Sequence, residues 1–178
     1  MPEIIIPGPE GRIEARYSPG NSAKPPLSII LHPHSRQGGT MNNKVVYHAF
    51  QAFKSLGFAT LRFNFRGVGK SQGSFDNGTG ELIDAACALD WLQSKNPHNL
   101  ETWVIGFSFG AWLSLQLLMR RPEIVGFVAI SPPANLYDFS FLSPCPASGL
   151  IIQGAEDTIV EEDSVSNLFN KLNNQKNI

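Results

Sequence analysis

The chain has 178 residues, 42% of them apolar, and its 14 basic and 15 acidic side chains leave a formal net charge of −1. That length supports one sizeable core and crowds out two, so a single domain over residues 1–178 is expected. The even charge balance offers no footprint for nucleic acid or anionic lipid. The start, Met-Pro-Glu, lacks the basic and apolar regions of a signal peptide, and no apolar run reaches spanning length. The expectation is a cytoplasmic protein with no nucleic-acid partner and no membrane.

In chain order, strand-like runs fall at 11–17 and 27–31, followed by a helical pattern in Val46, Ala49, Phe50, Phe53 and Leu56. A strand at 59–65 leads to a second helical pattern in Leu82, Ala86, Leu89 and Leu92. A strand at 102–105 leads to a helix at 111–119 that is apolar nearly all round, which predicts that it is central and buried. Strands at 125–130 and 149–152 follow, then a polar amphipathic helix at 161–172 and a polar run at 173–177 expected to fray. Repeated strand, helix, strand means parallel pairing. The runs 28–31 and 127–130 do not alternate polar with apolar, as strands covered on both faces should not. The fold class is therefore α/β, with a mostly parallel central sheet and helices on both faces.

In an open parallel sheet, ligands gather beyond the carboxyl ends of the strands. Four segments at such ends carry chemistry-bearing residues: His32-Pro33-His34-Ser35 with Gly38-Gly39, Arg66 to Ser71, Gly106-Phe107-Ser108-Phe109-Gly110, and Gly154-Ala155-Glu156-Asp157. Gly-x-Ser-x-Gly between a strand and a helix makes a turn so tight that a Cβ two residues on either side of the serine has no room. The turn lifts the Ser108 hydroxyl above the sheet edge as a candidate nucleophile. Such a hydroxyl needs an imidazole to take its proton and a carboxylate to orient that imidazole. Asp157 is the candidate carboxylate; a plain turn or capping aspartate is the competing account. The developing oxyanion needs two donors, assigned to the backbone N–H of Phe109, at a helix start, and of His34, since Pro33 has none. The side chains of His32 and His34 are read as loop histidines bonded to backbone.

Gly69-Lys70-Ser71 ends like a phosphate-binding loop, but Asn64 stands where the pattern needs glycine and the next helical pattern starts only near Glu81. A glycine-rich turn is the better account, and no cofactor is expected. Cys87 and Cys145 have no ligand spacing, so free thiols are expected, with no metal. The stretch 132–148, with Tyr137, Phe139, Phe141 and Leu142, leaves no room for a cap domain; its rings either shape an acyl pocket or cover the core.

These stretches, with Arg62 to Ser71, make the sequence resemble an α/β-hydrolase from about Ile4 onward. It is most similar to small bacterial hydrolases related to dienelactone hydrolases and acyl-peptide-hydrolase catalytic domains. The resemblance implies a serine hydrolase acting on a small acyl substrate, a carboxyl ester or a related compound. It maps the nucleophile onto Ser108, the acid onto Asp157, and the oxyanion donors onto Phe109 and the loop at His34. Members of the family carry the triad histidine after one further strand, beyond the helix at 161–172, and the sequence has no histidine there. The resemblance thus implies a shortened fold without its last strand and helix. Turnover would be lowered by up to about 10⁶, and the open sheet edge would be prone to association as a homo-oligomer. The alternative is a noncatalytic scaffold that binds a ligand or partner.

Overall fold

The computed structural model describes residues 3–174. Residues 175–177 of the polar run expected to fray lie outside the described residues. The elements, in chain order, are β1 (Glu3–Gly8), β2 (Gly11–Ser18), β3 (Leu27–Leu31), α1 (Lys44–Ser55), β4 (Ala59–Phe63), α2 (Thr79–Lys95), β5 (Thr102–Phe107), α3 (Phe109–Arg120), β6 (Ile124–Ile130), β7 (Ser148–Ile152) and α4 (Glu162–Asn174). Seven strands form one sheet in the order β1-β2-β4-β3-β5-β6-β7. Strands β4 to β7 run parallel to β3, while β1 and β2 join antiparallel at one side. The mostly parallel α/β architecture expected from the sequence is the one observed.

Parallel strands need crossovers, and the helices that make them supply both covering layers. Helix α1 packs Val46 and Phe50 on Ile30 and Ile105 at one face. Helices α2, α3 and α4 pack on the other, with Ala85, Leu89, Leu113, Leu115, Leu117 and Leu168 joined to Ile29, Leu61 and Val104 in a single cluster. Neighbouring residues of one strand, such as Val104 and Ile105, therefore serve opposite layers, which explains why these strands read as unbroken apolar runs. Helix α3 is central, as its sequence predicts: Ala111, Leu113, Leu115, Leu117 and Leu118 are all buried.

Strand β1 was not among the sequence-predicted elements. Its burial alternates, with Glu3, Ile5 and Pro7 exposed and Ile6 buried against Ile13 across a hairpin, but three successive isoleucines hide that alternation in the sequence. The loop after β4 is held by a buried pair: Arg66 donates from Nε and Nη2 to the two oxygens of Asp84, and its backbone N–H adds a third bond. No helix among the described residues is long and apolar enough to cross a membrane.

Candidate active site

The chain leaves β5 at Phe107 and enters α3 at Phe109, so one residue makes the whole turn. Ser108 takes φ 54° and ψ −119°, a left-handed conformation that a residue with a Cβ adopts only at a cost of about 1–3 kcal/mol. Both flanking glycines are required by contact. A Cβ at Gly106 would strike the carbonyl of Gly110 and come within 2.5 Å of the Ala111 Cα. One at Gly110 would strike the Leu31 carbonyl and approach that of His32 to 2.6 Å. The turn is thus wedged between its own helix and the end of β3.

The ends of the central strands are in step. Phe107, Ile130 and Ile152 stand in one register row across β5, β6 and β7. Ser108 donates its N–H to the Ile130 carbonyl at 2.9 Å, and Ser131 donates to that of Ile152 at 2.7 Å. Asp157 lies in the turn that follows β7, so it shares this carboxyl rim with Ser108. Its Oδ1 accepts from the amides of Ile159 at 2.9 Å and Val160 at 3.0 Å. The Val160 and Ile159 amides, helped by the Ser131 and Gln153 side chains, hold the carboxyl below the ordinary aspartate value, so it is charged at neutral pH. The amide pair is the geometry of a turn aspartate, and it commits one oxygen only. Nearby, Gln153 Oε1 and Asn135 Oδ1 are buried acceptors with no donor among the described residues.

His34 and Phe109 are brought together: their rings lie 4.9 Å apart, with Phe75 4.8 Å beyond His34 and the Arg36 guanidinium over Phe75. Among the described residues neither the His34 nor the Phe109 amide has a protein acceptor. Phe109 opens α3, so its N–H is one of the helix's unsatisfied donors at the positive end of the helix dipole. The His34 imidazole, lowered in pKa mainly by burial and then by Arg36, accepts the Arg36 amide at 3.2 Å. His32 is fully buried, with Nδ1 on the Pro33 carbonyl at 2.7 Å and Nε2 accepting the Phe65 amide at 3.0 Å. Both imidazoles bond to backbone, as expected. Burial pushes the His32 pKa down to about 4, and the Pro33 carbonyl offsets only part of that fall.

The other two histidines lie away from the rim just described. His48 sits in α1, and His98 precedes β5, at the amino end of the strands. No hydrogen bond joins any of the four histidines to Ser108 or Asp157 among the described residues.

The loop that ends like a phosphate site is already filled. Glu14 Oε2 accepts from the Lys70 amide at 2.8 Å and from Asn64 Nδ2 at 2.9 Å, while Lys70 Nζ pairs with Glu3. A carboxylate occupies the place an anionic ligand would need. Cys87 and Cys145 are free thiols, and no group of metal-ligating side chains occurs among the described residues.

In the loop before β7, Phe139 and Leu142 are buried in the core, whereas Tyr137 stacks on Trp112 at 4.5 Å and lies 5.9 Å from Phe109. Most of its rings therefore cover the core. A cavity of about 400 Å³ between this loop and α4, lined in part by Tyr137, Asp138, Ser140 and Lys171, includes none of the four sequence-predicted site residues.

Ser131, with φ 45° directly after β6, belongs to none of the four sequence-predicted segments; Ser-Pro-Pro after an apolar strand is the signal that marks it.

The profile of the X-Pro dipeptidyl-peptidase (S15 family) matches residues 12–143. An uncharacterized protein of Rickettsia prowazekii is 56% identical over 99% of this chain and 75% of its own length. A crystal structure from Agrobacterium tumefaciens, of a protein of unknown function described as an alpha/beta hydrolase, is 58% identical with a TM-score of 0.94; the match covers 98% of this chain and 80% of that one. A Xanthomonas campestris a/b serine hydrolase without lid is 37% identical with a TM-score of 0.89, covering 98% of this chain and 80% of its own. Lysophosphatidylserine lipase ABHD12 of Bos taurus is 25% identical over 95% of this chain, which spans 46% of that protein.

Proposed function

The chain belongs to the α/β-hydrolase superfamily, within the group that the S15 profile describes, and from that premise we propose a serine-hydrolase site acting on a small carboxyl ester or related acyl compound. Ser108 is the nucleophile. The amides of His34 and Phe109 receive the oxyanion, and Asp157 is the carboxylate that would orient a base. The observation that carries this reading is Ser108 itself, held at φ 54° and ψ −119° between β5 and α3 with the unsatisfied Phe109 amide next to it in the chain. A preorganised donor of that kind is worth about 10²–10³ in turnover when it meets charge that appears only in the transition state. The relatives named as a serine hydrolase without lid and as a lipase support ester chemistry.

The step that lacks a partner is removal of the Ser108 proton. Asp157 keeps one carboxylate oxygen outside its own turn, and Gln153 Oε1 and Asn135 Oδ1 are acceptors waiting beside the same loop. None of the four histidines of the sequence is hydrogen-bonded to Asp157 among the described residues. Turnover by these residues alone is therefore expected to fall short of a complete triad by up to about 10⁶. The same observation favours the second reading, a noncatalytic scaffold whose pocket binds a ligand or partner.

Hydrolysis of p-nitrophenyl acetate by the chain and by Ser108→Ala separates these readings. A slow reaction above buffer that Ser108→Ala removes is the expected result. Rates typical of intact enzymes would contradict the missing base, and identical slow rates for the two proteins would favour the scaffold.

A further inference from the structure

Asn64, which stands where a phosphate-binding loop needs glycine, is 3% exposed, and both ends of its side-chain amide are bonded. Its Oδ1 accepts the Met41 N–H at 2.8 Å, and its Nδ2 donates to Glu14 Oε2 at 2.9 Å. The main chain is held as well: the Asn64 N–H donates to the Glu14 carbonyl at 2.8 Å, and its carbonyl accepts the Ser71 hydroxyl at 2.7 Å. A residue fixed in this way can hold its partner in place. That partner, Met41, is fully buried, so its N–H needs the acceptor.

Met41 lies on the segment that follows β3 and carries His34. The neighbour of Asn64, Phe65, donates its N–H to His32 Nε2 at 3.0 Å. Positions 64 and 65 thus grip the segment on both sides of His34, at residues 41 and 32. Between the grips it is closed on itself. The His34 carbonyl accepts the amides of Gln37 and Gly39, each at 3.0 Å. Gly39 packs so tightly that a Cβ there would strike the Pro33 carbonyl and come within 2.7 Å of that of His34. Arg62 Nη1 also donates to the Met41 carbonyl at 2.6 Å, but from a long side chain that can follow a shift; the short Asn64 side chain cannot.

We propose that Asn64 is a positioning residue for the oxyanion donor on His34, acting through its bond to the Met41 amide. The proposal rests on the role of the His34 amide given above. Residue 41 fixes Gly39, and Gly39 fixes the Pro33-His34 peptide that carries the donor. Such a donor acts by standing in place before charge develops, and a misplacement of about 1 Å can cost about 10²-fold in rate.

The test compares Asn64→Ala with the parent and with Thr60→Val. Thr60 lies on the same strand but at its amino end, where it accepts a buried 2.8 Å bond from Ser28 Oγ. Both variants lose a buried hydrogen bond, so only an effect special to Asn64 separates them. Amide hydrogen exchange at Gln37, Gly39 and Met41 is read first, then saturation kinetics of fluorophosphonate labelling at Ser108. In Asn64→Ala exchange at the three amides should rise about tenfold. The bond-forming rate constant should fall between about 10-fold and 10²-fold, with the reversible binding constant unchanged. Thr60→Val should leave all of these at the parent's level. Asn64→Ser, whose smaller side chain lets water reach the Met41 and Glu14 groups, replaces Asn64→Ala if the latter does not fold, with the same expectations. Unchanged exchange at Gln37 and Gly39, or an unchanged bond-forming rate constant, overturns the proposal. A parent Ser108 that does not react at all sinks the hydrolase reading instead, and exchange alone then decides whether Asn64 holds the loop.

Discussion

Gly110→Ala is expected to lower the thermal midpoint by roughly 6–12 °C, the shift that about 3 kcal/mol gives in a domain of this size. Two effects oppose each other. Alanine is the better helix former, by about 1 kcal/mol over glycine. The new Cβ, however, would collide with the Leu31 carbonyl and sit 2.6 Å from that of His32, so α3 must move off the end of β3. Overpacking usually costs about 1–3 kcal/mol; here the obstacles are backbone carbonyls that cannot rotate aside, so about 4 kcal/mol is expected and the clash wins. Gly154→Ala is the matched control. Its Cβ would meet nothing closer than the Asp157 Cβ at 4.0 Å, so the midpoint should stay within a few degrees. If Gly110→Ala melts with the parent, the close approach of α3 to β3 is wrong.

Acidification from pH 7 to pH 5 should remove roughly 2 kcal/mol of stability through His32 alone, at 1.36 kcal/mol for each pH unit below the ordinary histidine value. The sign follows from burial. In the folded chain the His32 pKa is pushed from 6.5 down to about 4, so the ring stays neutral there while the unfolded chain takes up a proton. Stability is thus whole above pH 6.5 and falls as pH drops toward 4. His34, also lowered, acts in the same direction. The carboxylates that are held low, Asp157 among them, titrate mainly below this window. Urea unfolding at the two pH values measures the loss. In His32→Gln, whose amide can still donate to the Pro33 carbonyl and accept from the Phe65 N–H, most of it should vanish. An undiminished loss in that variant would mean the buried ring is not its source.

The parts of this molecule that sequence reveals are those whose physics is local. The strand-turn-helix around Ser108 is legible because only glycine fits at 106 and 110, and α3 is legible because burial on all sides leaves it apolar all round. Strand boundaries were less so. Strand β4 stops at Phe63, short of the expected 65, because His32 Nε2 takes the Phe65 amide that a neighbouring strand would otherwise receive. Helix α3 starts at Phe109, two residues before the apolar pattern suggests, since its first turn includes Gly110. The Glu14 carboxylate that fills the Lys70 loop comes from 56 residues away, and no spacing rule connects them. The positive φ of Ser131 is hidden for a similar reason: its backbone N–H is fixed by the Ile152 carbonyl on another strand, which no local pattern announces.

The central claim is that Ser108 is presented for nucleophilic attack at the sheet's carboxyl rim. Incubating the folded chain with a fluorophosphonate and mapping the adduct by peptide mass spectrometry tests it directly. The account predicts modification at Ser108, faster than in the urea-unfolded chain and accelerated by added imidazole, with none in Ser108→Ala. A folded chain that reacts no faster than the unfolded one, or an adduct on another serine, would contradict it.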